Sequence, residues 1–123
     1  DTLDILDAHI VNFGVEFQII AEQSRNRFDV LQNAIAAIEK EFLMKFDIGE
    51  SIRISRVYNI LNEADGVEDT TDVRIIRRVG TNYSTTRFDF DANLNADGRM
   101  ISGYDNVIFE LKLPNDDIKG SVL

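Results

Sequence analysis

The residues best suited to chemistry in this 123-residue chain are an alternating acidic run, one histidine and a cluster of arginines. The acidic run is Asp89, Asp91, Asn93, Asn95 and Asp97-Gly98. A calcium loop needs oxygen ligands at alternating positions, a glycine at the sixth and a bidentate glutamate at the twelfth. Counting from Asn93 puts Gly98 at the sixth position but Tyr104 at the twelfth; counting from Asp89 puts Leu94 and Met100 there. Neither register is complete, and Phe88 and Phe90 alternating with Asp89 and Asp91 read as a strand with its acids in solvent. No metal is therefore expected.

His9 is the sole histidine, so a Ser-His-Asp or Cys-His pair would have to use it. No nucleophile motif accompanies it, and a surface or capping role is the expectation. Arg74, Arg77, Arg78 and Arg87 form the basic cluster. Strand alternation separates Arg77 from Arg74 and Arg78, which suits a solvated face paired with acidic neighbours; the functional alternative is contact with an acidic subunit. The carboxylate pairs Glu39/Glu41 and Asp116/Asp117 fall in a helix and a tail, with nothing drawing them into a cleft. The glycines make no GxGxxG or Walker pattern. These residues predict no catalytic site, no cofactor and no enzyme.

The elements that position these residues follow from periodicity. Val11, Phe13, Val15, Phe17, Ile19 and Ala21 alternate with a face that is polar except at Ile20, which predicts a long half-buried strand. Asn26 can cap a helix carrying Asp29 in its first turn, with Phe28, Leu31, Ala34, Ile35, Ile38 and Phe42 as its apolar stripe. Lys45 to Glu50 reads as a short extended link in which Phe46 and Ile48 alternate. Ile54, Val57, Tyr58, Leu61 and Ala64 predict a second helix, with Ser51 as N-cap and Asp65-Gly66 as its stop. A strand over Val67 to Val79 follows.

Arg87 to Leu94 alternates again, Asn95-Ala96-Asp97-Gly98 is a turn by its chemistry, and Arg99 to Gly103 suits a return strand. Together they predict a hairpin inserted between core strands at about 80–105. Asn106 to Leu113 is the last expected strand, ended by Pro114 and followed by an extended tail, 114–123. The sum is a single α+β domain over 1–123, mainly antiparallel, of order β-α-α-β-(hairpin)-β, with two helices on one face of the sheet.

Composition bounds the remaining options. An apolar fraction of 44% is ordinary for a globular chain. No apolar run approaches the ~20 residues of a membrane span. A net charge of −9 opposes general binding to a nucleic-acid backbone. Absence of cysteine excludes disulfides and thiolate metal sites. The first residue is Asp1, and 1–8 have no clear period; they are expected to lead in from a preceding part of a longer protein.

The stretch from Gly49 to Ile75 carries a family resemblance. Gly49-Glu50, Ile52, Ile54, Ser55, Val57-Tyr58, Leu61, Gly66-Val67, Asp69, Thr71 and Val73 resemble the C-terminal domain of baseplate J-like proteins, the wedge proteins of contractile phage tails. The ending 115–122, NDDIKGSV, is similar to that of myovirus wedge proteins. Thr70 departs from the pattern, where an apolar residue is common, and so does the length of 80–105. The resemblance implies a non-enzymatic assembly domain located in the virion, associating with copies of itself and with other wedge subunits. Gly49, Glu50, Leu61, Gly66, Val67 and Val73 would be its structural motif. The expected contact surfaces are the inserted hairpin and the tail, with Arg77, Arg78, Arg87, Phe88, Phe90, Asp117, Ile118 and Lys119 as interface candidates. The alternative reading is a small α+β module that binds a ligand beside its helices.

Overall fold

The computed structural model describes residues 9–43, 46, 49–84, 88–96, 98–102 and 107–123. Its centre is strand β1 (His9–Ala21), whose apolar alternation holds as expected: Val11, Phe13, Val15, Phe17 and Ile19 are all buried. Helices α1 (Arg27–Phe42) and α2 (Ile54–Glu63) follow, and then strand β3 (Val67–Arg77), which pairs antiparallel with β1. On the other edge of β1 run β5 (Val107–Glu110) and then β6 (Ile118–Val122), both parallel to it. A short helix α3 (Pro114–Asp117) lies between them. The fold is thus α+β, but the sheet is mixed rather than mainly antiparallel. Nothing in the periodicity of β5 or β6 distinguishes a parallel from an antiparallel neighbour.

Helix α1 starts as its chemistry predicts. Asn26 Oδ1 accepts from the Asp29 N–H at 3.1 Å, satisfying a first-turn donor. Its buried residues are Val30, Ala34 and Ile38, whereas Phe28 is 67% exposed. The stripe is rotated from the expected one: Val30 reaches the core in place of Phe28.

Helix α2 is not capped by Ser51. Ile52–Arg53 forms a short strand, β2, paired with Met100–Ile101, β4. The Arg99 carbonyl then accepts from Ile54 N (2.6 Å) and Ser55 N (3.3 Å). A backbone carbonyl from a distant segment thus serves orphan donors of the first turn. The helix stops at the expected place. Gly66 has φ 87°, and a Cβ there would lie 2.7 Å from Val30 Cγ2, so both conformation and packing require glycine.

Strand β3 ends at Arg77, and Val79, expected to continue it, is 51% exposed. Its pairing with β1 slips at Gln18/Ile19 and Ile20/Ala21, leaving Thr71 and Glu68 as extra residues. These bulges set the inward residues Val67, Thr70 and Val73 three apart instead of two. Thr70, the departure from the family pattern, is buried, and its hydroxyl donates to Asn62 Oδ1 of α2 at 2.7 Å.

The inserted hairpin takes a different form. Residues 90–93 make turns, not a strand, and among the described residues the return is β4 with a bridge from Leu94 to Ile101. Phe88 and Phe90 are both buried, with ring centroids 5.3 and 6.1 Å from Phe109. Of the expected Asn106–Leu113 strand, the described residues 107–113 form strand only over β5. The tail is not a free extended arm, since its last residues are a sheet strand.

Candidate functional site

A polar constellation sits where β5 passes to β6. Only Phe13 and Gly14 of β1 separate the two pairings, while seven residues, 111–117, bridge them on the other chain segment. The surplus folds into α3, and Asp117 points inward at 1% exposure. Its Oδ1 accepts from the Tyr83 hydroxyl at 2.6 Å and its Oδ2 from Leu113 N at 2.9 Å. Arg78 Nε approaches Oδ1 at 2.9 Å as a charge contact outside hydrogen-bond angles. Arg78 Nη2 donates to the Tyr83 oxygen at 3.2 Å, and its guanidinium lies 5.1 Å from the Tyr83 ring centroid.

Electrostatics follow from that geometry. Donation to the Asp117 carboxylate, reinforced by burial, raises the Tyr83 phenol above its ordinary value, because losing the proton would set two anions together. The Arg78 guanidinium is raised by its hydrogen bond to Tyr83 and, more weakly, by Asp117. The cluster is a latch, with a carboxylate joining the 78–84 segment to the turn before β6.

Asn12, 2% exposed, completes it one step along β1. Its Nδ2 donates to Glu110 Oε1 at 2.8 Å, and its Oδ1 accepts from Ser84 N at 2.6 Å. Lys112 Nζ donates to the Asn82 carbonyl. Gly14 is where the latch touches β1 most closely: a Cβ there would lie 2.7 Å from the Asp117 carbonyl oxygen.

The sequence-derived residues are dispersed by the fold. Arg74 pairs with Asp72 at 3.3 Å in solvent, Arg77 donates to the Phe88 carbonyl, and Arg78 turns into the latch. Arg87 lies outside the described residues, as do Asp97 and Ile48. Phe88, Phe90, Asp117 and Ile118 are buried within this chain, a correction to their reading as contact surface; Lys119 remains exposed. The Asp89 and Asn95 side chains are turn acceptors, for Ala92 N and for Arg99 N. No three acidic or histidine side chains converge as metal ligands among the described residues. His9 is exposed at the start of β1.

Sequence reasoning missed Asn12, Tyr83 and the inward turn of Asp117. Asn12 was legible only as part of a polar strand face. Asp117 had a faint signal: a carboxylate three residues after Pro114 can reach back to the donors of the turn it closes.

A groove of about 610 Å³ lies beside α1 and α2. Ala37, Phe42, Phe46, Ile60 and Ala64 supply apolar surface, and Lys40, Glu41, Arg56 and Glu63 supply charge. Arg56 pairs with Glu41 at 3.3 Å across it. Glu50 of the family motif stands at its rim. Gly49, with φ 78°, donates its N–H to the Val107 carbonyl at 2.8 Å, tying the motif to β5. Leu61, Val67 and Val73 are buried between α2 and the sheet. No family model and no curated protein matches the chain.

Proposed function

We propose that this chain is a structural assembly domain of a phage tail baseplate wedge protein, binding copies of itself and other wedge subunits within the virion. The observation that carries this reading is how the residues of the resemblance are used. Gly49 and Gly66 hold left-handed turns, and Leu61, Val67 and Val73 make the core between α2 and β3. A scaffold is defined by such residues, whereas an enzyme's recurring residues converge on a cleft. A sheet with one strand edge on each side of β1 also leaves main-chain groups for partners.

The test is localisation. Antibodies against this chain should decorate the baseplate end of contractile tails in electron micrographs, and its peptides should appear in the mass spectrum of purified tails. Tails that contain neither would sink the reading. Deleting Asn115 to Leu123 is a poor test of contact, because it removes β6 from the sheet; point changes at exposed positions serve better.

The groove beside the helices favours one second reading, a small ligand-binding module. Binding of a metabolite that raises the melting temperature, and loses that effect on Ile60→Lys, would favour it over assembly.

A further inference from the structure

Strand β3 ends the sheet on its side, and no described strand pairs with its outer edge. Its charges are ordered along its length. Glu68, Asp69 and Asp72 occupy the first part, and Arg74, Arg77 and then Arg78 the last. All six are exposed except Arg78, which is held in the latch. Such a strand is complementary to itself when run antiparallel. Turned about Val73, Asp72 meets Arg74 of the other copy and Arg74 meets its Asp72. The acidic start of each strand then lies toward the Arg77 end of the other.

The main chain allows the same axis. Arg78 N donates to the Asn12 carbonyl at 3.0 Å, and the register is unbroken from Phe13↔Arg77 to Gln18↔Asp72. In an antiparallel ladder, main-chain groups face alternate sides. Asp72, Arg74, Ile76 and Arg78 therefore turn theirs to β1, while Val73, Ile75 and Arg77 turn theirs outward. A two-fold axis at Val73 passes through a residue whose N–H and C=O both face the partner. Thr71 and Glu68 are bulged, so the regular part of such a pairing is the central Asp72–Val73–Arg74, where the crossing pairs lie.

We infer that β3 is a homodimerisation edge: two copies of this chain join their sheets by antiparallel β3–β3 pairing about Val73, steered by the Asp72–Arg74 crossing pairs. The inference stands on this strand alone and does not require the baseplate reading. A dimer could form in a protein of any function, and a tail protein could assemble through other faces.

The test is sedimentation velocity of the full chain over a range of concentrations and salt. The expected result is a monomer–dimer equilibrium weakened by added salt, since the crossing pairs are exposed. Arg74→Asp sets two carboxylates together at both crossings, and Asp72→Arg sets two guanidinium groups together there. Each should weaken the dimer about tenfold, from two cross-strand pairs turned repulsive. The double exchange D72R/R74D restores opposite charges and should restore dimerisation, while circular dichroism checks that each variant folds. A chain that stays monomeric throughout, or a dimer indifferent to the single changes, would overturn the inference. So would a double exchange that fails to recover although folded.

Discussion

The two edges of β1 are closed by opposite strategies. On one side a single strand, β3, arrives through a local β-α-α-β excursion and pairs along nine registered positions with two bulges. On the other side the chain returns from far away and supplies two short parallel pieces, β5 and β6, joined by a folded turn. The first edge is held by ladder and core contacts, with Thr71 bonded to Gln18 across the pair and Thr70 to Asn62 of α2 as polar additions. The second needs specific polar fastening, because the turn at 111–117 would otherwise bury main-chain groups and a carboxylate without partners. Local connection lets a strand rely on pattern; distant return makes it rely on particular side chains.

That contrast can be broken most severely at Phe109. It is fully buried in β5 and lies within 6.5 Å, ring to ring, of Phe13, Phe46, Phe88 and Phe90. Phe109→Ala should cost about 4 kcal/mol in urea unfolding. Asp117→Ala comes next, at about 3 kcal/mol, because it strands Tyr83, Arg78 and the Leu113 N–H. Amide exchange should then quicken in β6 while β3 stays protected; equal quickening in both would remove the distinction between the edges.

Gly120→Ala tests packing rather than polarity on the same edge. A Cβ there would fall 2.2 Å from Phe17 Cζ, and the buried ring has to shift. The expected loss is about 2 kcal/mol, seen as a lower melting temperature. On the β3 edge, Thr70→Val deletes the bond to Asn62 but keeps the shape, and should cost only about 1 kcal/mol. A cost as large as that of Asp117→Ala would show that both edges depend on polar fastening.

The smallest effect is the pH response of the latch. Tyr83 has a raised value in the folded chain, so its contribution is fully present below the unfolded phenol's pKa of about 10. That contribution fades as pH rises through the folded value, because the native state holds the proton longer. Unfolding free energies measured from neutral pH upward should fall faster for the wild type than for Tyr83→Phe in that window. Parallel curves would show that the phenol is not coupled to folding.

Legibility in the sequence followed the same division. β1 was readable because five alternating apolar residues face one layer of helices. α1 was readable from Asn26 and Asp29, and the end of α2 from Asp65-Gly66. Phe28 and Phe42 have the same chemistry in α1, yet only Phe42 packs against the core. Which of the two reaches the core is not encoded in spacing. Ser51 looked like a cap by type, but pairing of Ile52–Arg53 with β4 brought the Arg99 carbonyl to that place instead. The candidate site was least legible. Arg78, Tyr83 and Asp117 are distant in sequence, and each alone reads as a solvated polar residue.

Periodicity and turn chemistry by themselves determined that this is an α+β chain with a long amphipathic strand, two amphipathic helices and a glycine-marked return into β3. These are local matters, decided by which neighbouring side chains can share a face and where the backbone must turn left-handed. Only the tertiary structure decided that the sheet is mixed, that the ending is a strand inside it, and that Phe88 and Phe90 belong to the core. Strand direction and partner depend on how distant segments compete for the same edge of β1, and that competition is settled by packing around Phe109 and the bonds converging on Asp117.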